Sequence, residues 1–222
     1  MRFADRHQAG VELAEAVAAF EPVDPVVFAL PRGGVPVGYE VARTLECPLD
    51  VVLVRKLGVP GHPELAMGAI AEGGVTVWNE DLIAMIGIRE DEIADVVERE
   101  TETLARQAET LRPPGAQRID PNGRTALVVD DGLATGATAL AAVDALRREG
   151  AAEVWVCVPV GPPDTAAAMR QVAEQVVVVY APVRFGAVGA WYQNFEQVED
   201  REVQALLQDA RLRFPPSPKE DS

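Results

Sequence analysis

Two adjacent carboxylates, Asp130 and Asp131, end the apolar run Leu127-Val128-Val129 and are followed by Gly132-Leu133-Ala134-Thr135-Gly136-Ala137-Thr138. A buried strand ending in carboxylates and opening a helix through small, hydroxylic residues offers two binding functions together. The start of the helix presents backbone N–H groups without intrahelical partners, which suits a phosphate. Thr135 and Thr138 add hydroxyl donors, and Gly136 lets the backbone approach closely. The carboxylates accept hydrogen bonds from hydroxyl groups. A phosphate cradle beside such a pair suits a sugar phosphate. The carboxyl ends of strands are also where open α/β sheets bind ligands. Neither GxxxxGK nor GxGxxG occurs, so the string is not a Walker loop or a dinucleotide fingerprint.

A second segment, Leu30-Pro31-Arg32-Gly33-Gly34-Val35, places a basic residue and two glycines between an apolar run and a helix. A third, Val54-Arg55-Lys56, leads into KLGVPGHPELAMG, whose glycines and prolines read as a mobile loop with hinges at Gly58 and Gly61. Lysine occurs only at Lys56 and Lys219, against 18 arginines. Lys56 is therefore the one compact ammonium before the tail, and an arginine fork does not replace it.

The scarce residues exclude other chemistries within this chain. Serine occurs only at Ser217 and Ser222, which rules out a serine-hydrolase triad, and two histidines rule out a His-rich metal site. Cys47 and Cys157 have no CxxC neighbour, so neither a zinc knuckle nor a disulfide framework is expected, and a reduced cytoplasmic compartment fits. The net charge of −15 disfavours nucleic acid and anionic membranes as partners, and no apolar run reaches membrane-spanning length.

These residues need a scaffold that gathers distant strand ends. Apolar periodicity predicts helices over 5–20, 35–45, 89–111, 137–148, 163–173 and 199–212, and a short helix capped by Asn79. Strands are predicted over 26–30, 50–55, 126–129, 153–159 and 176–180, with a hairpin at Gly73-Gly74. Strands alternating with helices imply an α/β fold: a mainly parallel twisted sheet flanked by helices. Residues 181–198 read as aromatic and irregular, and 215–222 as a disordered tail.

The string from Leu127 to Thr138 resembles the phosphoribosyl-diphosphate (PRPP) binding motif of the type I phosphoribosyltransferases. Ala29 to Gly38 resembles that family's diphosphate loop, which often carries a cis peptide, here Pro31–Arg32. The segment after Val54 resembles its flexible catalytic loop. The similarity runs in order over roughly residues 26–180. It implies one domain over 1–214, with a small hood built from 1–20 and 181–212. It implies PRPP binding by Arg32, Gly33, Gly34, Arg55, Lys56, Asp130, Asp131, Ala134, Thr135, Gly136, Ala137 and Thr138. Lys56, Glu72, Asp130 and Asp131 would carry catalysis. Glu72 resembles a glutamate of adenine phosphoribosyltransferases. Mg²⁺ would be held mainly by PRPP, with Asp130 and Asp131 reaching it through water.

In the hood, Phe185, Trp191 and Tyr192, with Phe195, are candidates to stack on a planar acceptor. The expected partners are PRPP and a small-molecule acceptor, and the expected assembly is a homodimer. Ala134 stands where hypoxanthine-guanine enzymes have an aspartate, and the hood does not resemble that of an adenine enzyme. It is more similar to a group of bacterial phosphoribosyltransferases assigned by sequence. Phosphoribosyl transfer to a nitrogenous acceptor is the expected activity. The alternatives are a PRPP- or nucleotide-sensing regulator and a subunit whose acceptor site needs a partner protein.

Overall fold

The computed structural model describes residues 2–216, so positions 217–222 of the expected tail lie outside the described residues. The chain begins with α1 (Arg6–Ala18), β1 (Pro25–Ala29), α2 (Gly34–Leu45) and β2 (Leu49–Val51). It continues through β3 (Val54–Val59), β4 (His62–Ala71), β5 (Thr76–Trp78), α3 (Glu80–Ile86) and α4 (Glu90–Leu111). The second half comprises β6 (Thr125–Val129), α5 (Ala137–Arg148), β7 (Glu153–Val160), α6 (Pro163–Met169), β8 (Gln175–Tyr180) and α7 (Asp200–Arg213). A short 3₁₀ turn spans Val188–Trp191.

Five strands form a parallel sheet in the order β2-β1-β6-β7-β8. Its strands are near-continuous apolar runs because both faces are covered. Val27, Ala29, Leu127, Val129 and Cys157 point into one core, against α1, α2 and α7. Their neighbours Val26, Phe28, Ala126, Val128 and Val156 point into the other, with residues of α5 and α6. Strand alternation alone sorts these side chains between the two layers. Helix starts follow local chemistry: Asp5 accepts from the Gln8 amide at 2.9 Å to cap α1, and Asn79 accepts from Leu82 at 3.1 Å to cap α3.

The sheet order reverses between β1 and β6. From β1 the chain winds outward to β2, and from β6 it winds the other way to β7 and β8. Ala29 is in register with Val129, so the loops leaving these strands begin side by side although about a hundred residues separate them. Such a reversal opens a crevice at the carboxyl ends of the strands.

Three local expectations are corrected. The run 50–55 is two strands: β2 joins the parallel sheet, and β3 starts a separate antiparallel sheet, β3-β4-β5. The segment expected to be a mobile loop is the β3–β4 hairpin, which turns at Pro60–Gly61. Its glycine and proline serve a close crossing. A Cβ on Gly58 would lie 2.9 Å from Pro63 Cα, and the register shifts there. Leu57, Val59, Met67 and Ile70 anchor the hairpin in the core. Finally, α6 stops at Met169, and a turn replaces its expected last residues.

Candidate active site

The loop after β1 and the loop after β6 face each other across a cleft of about 870 Å³. The first carries Pro31, Arg32 and Gly33, and its Pro31–Arg32 bond is cis. The second carries Asp130 and Asp131. They touch closely: a Cβ on Gly33 would lie 2.1 Å from Asp131 Oδ2, and one on Gly34 2.5 Å from the Val129 carbonyl oxygen. Glycine is required at Gly34, where the neighbour is backbone, and a side chain at Gly33 would displace the Asp131 carboxylate. The Leu30 amide donates to that same carbonyl at 2.8 Å.

The carboxylates occupy unequal surroundings. Burial pushes the Asp130 carboxyl well above the usual carboxylate range, and the neighbouring Asp131 charge pushes it further. Burial also raises Asp131, but Arg6 opposes the shift with its Nε 2.8 Å from Oδ2. Arg6 comes from the first turn of α1, 125 residues away in sequence. Its Nη1 donates to the Glu196 carbonyl at 2.7 Å, and its guanidinium lies 3.9 Å over the Phe195 ring. The Tyr192 hydroxyl donates to the Asp131 carbonyl oxygen.

The other cationic groups of the cleft, Arg32, Arg55 and Arg106, are already engaged, Arg106 with Glu102 at 3.6 Å. Arg32 makes a two-pronged contact with Asp200 at the start of α7, at 2.6 and 3.1 Å. Arg55 pairs with Glu100 of α4 at 2.6 Å. These guanidinium–carboxylate pairs have the geometry that a phosphate also accepts.

The structure brings Arg32, Gly33, Arg55, Asp130 and Asp131 to this one cleft. Ala134, Thr135, Ala137 and Thr138 are not part of the cleft lining; they lie exposed at the start of α5, which Gly136 enters with φ +77°, and Ala137 borders a separate cavity of about 440 Å³ against β4 and β5. The Thr165 hydroxyl donates to the Ala134 carbonyl at 2.9 Å and steadies the loop. Lys56 is not in the cleft. It lines a second cavity of about 790 Å³ between the hairpin and α4, with its ammonium 3.5 Å from the Glu64 carbonyl oxygen. Arg55 borders both cavities.

Glu72 also lies apart from the cleft lining. Its carboxylate accepts from Arg112 and sits 3.9 Å from Arg118. It belongs to an ion-pair network around Asp50, which is 0% exposed and receives Arg112 Nε at 2.8 Å and the Ile119 amide at 2.8 Å. The proposed aromatic platform is redistributed too. Phe185 stacks near Trp191, Trp191 packs edge-on to Tyr180, and Tyr192 is buried against Phe3. These three pack in one cluster with Phe3 and Tyr180, and Phe195, 38% exposed, is the aromatic that lines the cleft. The sequence reading missed Arg6, Gln197, Val198 and Asp200, which also line it. Only the aromatic clustering near Phe195 signalled that segment; nothing in the local pattern signalled Arg6.

Among the described residues, no cluster of three or more His, Cys, Asp or Glu is arranged to hold a metal ion, and no helix is long and apolar enough to cross a membrane. Cys47 and Cys157 are free and buried, and burial pushes the Cys47 thiol up to about 12.

This crevice, with a glycine-lined loop facing an acidic pair at the point of strand reversal, defines an α/β fold of the phosphoribosyltransferase type. The family model for the phosphoribosyl transferase domain matches residues 11–188, and the chain belongs to that family. It is 49% identical over 214 residues to two curated proteins from Mycobacterium tuberculosis strains CDC 1551 and H37Rv, both provisionally named phosphoribosyl transferases. The match covers 96% of this chain and 48% of each relative, so the chain spans about half the length of the curated relatives it matches. Among solved structures it is similar to the protein TT1426 from Thermus thermophilus, at 42% identity and a TM-score of 0.82, covering 94% of this chain and 99% of that one.

Proposed function

We propose that the chain binds Mg-PRPP in the 870 Å³ cleft and transfers its 5-phosphoribosyl group to a nitrogenous, nucleobase-like acceptor, releasing diphosphate. One observation carries this reading: the Ala29–Val129 register sets the Arg32–Gly34 loop against the Asp130–Asp131 pair across that cleft. The C1–diphosphate bond breaks with its electron pair leaving on oxygen, positive charge develops on the ribose ring, and the acceptor nitrogen bonds to C1 and gives up its N–H proton to water. Asp130 and Asp131 accept hydrogen bonds from the ribose hydroxyls, and their field favours the cationic ring. The Arg32 and Gly33 amides and the Arg32 and Arg55 guanidiniums receive the diphosphate, which replaces Asp200 and Glu100 as the partner of the guanidiniums.

The 5′-phosphate is assigned to the amides and hydroxyls of residues 134–138. Mg²⁺ neutralises charge on the leaving group when bound. The donor set fits a metal carried mainly by PRPP, with Asp130 and Asp131 reaching it through water. Lys56 is assigned to the diphosphate in a closed hairpin, and Glu72 to holding Arg112 and Arg118 beneath the hairpin. Residues 1–214 act as one unit with hood elements in 1–20 and 181–212. The Phe3–Tyr192 bridge and the Gln193 amide to the Phe3 carbonyl at 2.8 Å support that division. A homodimer is the proposed assembly and the cytoplasm the proposed compartment.

A diphosphate-release screen with Mg-PRPP over bases and small amines tests the reading. Release is expected with at least one acceptor and is lost in an Asp130→Asn, Asp131→Asn variant. Hypoxanthine and guanine are expected to be poor, because Ala134 offers no carboxylate to assist their deprotonation. Failure of the wild-type chain to bind Mg-PRPP in calorimetry rejects the proposal. Tight binding without release with any acceptor selects the regulatory alternative.

A further inference from the structure

Building on the PRPP reading, we propose that Arg6 is a positioning residue that fixes Asp131 for the ribose hydroxyls and couples the hood to that carboxylate. Four contacts close a circuit around Asp131. Arg6 Nε binds its side chain at 2.8 Å, with both side chains only 12% exposed. The Arg6 guanidinium lies 3.9 Å over Phe195. Phe195 packs on Tyr192 with ring centroids 4.9 Å apart, and the Tyr192 hydroxyl returns to the Asp131 carbonyl oxygen. Arg6 Nη1 adds a bond to the Glu196 carbonyl at 2.7 Å, so one guanidinium ties α1, the acidic loop and the hood together.

The chemistry of each contact gives this arrangement its role. A carboxylate has two oxygens and several acceptor directions. Arg6 occupies Oδ2, and the Asp131 amide donates to Asp130 Oδ1 at 2.8 Å, which leaves Asp131 Oδ1 and Asp130 Oδ2 to take the sugar hydroxyls. Without Arg6, Asp131 can rotate, and two adjacent carboxylates repel each other across the space the ribose must fill. A planar guanidinium serves better than an ammonium here, because it lies flat on the ring while bonding along its edge. Diphosphate alone, bound on the Arg32 and Arg55 side, does not use this circuit.

Calorimetry of Mg-PRPP and of Mg-diphosphate with wild type, Arg6→Ala, Arg6→Lys and Phe195→Leu separates a positioning role from general damage. Arg6→Ala is expected to weaken PRPP roughly tenfold or more, the size of a lost charge-assisted hydrogen bond, and to leave diphosphate affinity within about twofold. Arg6→Lys should recover part of the loss, and Phe195→Leu should show the same ligand-selective pattern more weakly. If Arg6→Ala does not fold, the latter two variants carry the test through the same selectivity. Equal weakening of both ligands, or no change in PRPP affinity, overturns the role of Arg6. A wild-type protein that binds diphosphate but not PRPP, or neither, overturns the phosphoribosyl reading and the inference with it.

Discussion

Asp130 and Asp131 share a partly desolvated cleft, and Arg6 pairs directly with Asp131 alone. Both carboxyls are raised from an ordinary value of 3.8, by burial first and, for Asp130, by its neighbour's charge. A raised folded-state value means that the folded chain holds protons more tightly than the unfolded one. The stability this contributes is present in acid and lost as pH rises through the raised value. Asp130→Asn removes that loss. The variant is expected to match wild type in strongly acidic buffer and to melt higher than wild type in mildly alkaline buffer. Melting curves across the pH range check the sign; a variant that melts lower in alkali contradicts it. Lys56 poses a different question, because its ammonium faces the second cavity and not the cleft. If the hairpin folds over the diphosphate, Lys56→Ala loses about 10²-fold in kcat, the effect of removing one positioned transition-state donor. Steady-state kinetics giving a kcat close to wild type would leave Lys56 a solvated hairpin residue. The acidic pair and the Arg32 loop were legible in the sequence because each is a local string. Arg6 was not, because its meaning arises only when α1 is laid against the hood.

Among the elements, β2 and the end of α4 are joined through the Asp50–Arg112 pair, which is 0% and 6% exposed. Arg112 also donates to the Val51 carbonyl at 3.1 Å and to Glu72, so it holds the root of the hairpin to the main sheet. Arg112→Met leaves the buried Asp50 with only the more distant Arg211, 3.5 Å away, as its cation, and losing the close partner of such a pair costs up to about 3–5 kcal/mol. That corresponds to a melting temperature lowered by roughly 10 °C. An Asp50→Leu, Arg112→Met double variant should recover part of the loss, because the fully buried Asp50 charge is then gone while Glu72 and Arg211 each lose a partner; calorimetric melting of both variants checks this. The helices and parallel strands were legible from their periodicity because each is buried on a predictable face. The hairpin was not. Gly58 and Pro63 carry the usual marks of a loop, and their use as a tight strand crossing depends on the long-range pairing of Val54–Val59 with His62–Ala71.

For the whole molecule, the antiparallel sheet stands beside the parallel one, with its tip residues 61–66 exposed. Under the proposed transfer, excluding water from the sugar cation calls for that tip to close toward the cleft. Mg-PRPP is therefore expected to slow amide exchange across residues 56–66 several-fold while leaving β6 and β7 unchanged. Hydrogen-exchange mass spectrometry with and without the ligand measures this, and uniform protection or none would argue against hairpin closure. The seam between β1 and β6 has a further consequence, for how descendants of such a chain would diverge. Gly34 is required by the fit of one loop against another, since a methyl group there strikes the Val129 carbonyl whatever is bound. A lineage that abandoned the chemistry would still keep Gly34 in order to fold. Thr135 and Thr138 are exposed, so drift would reach them first once a phosphate no longer called for them. Lost activity would therefore be written at the start of α5 before it reached the glycine loop.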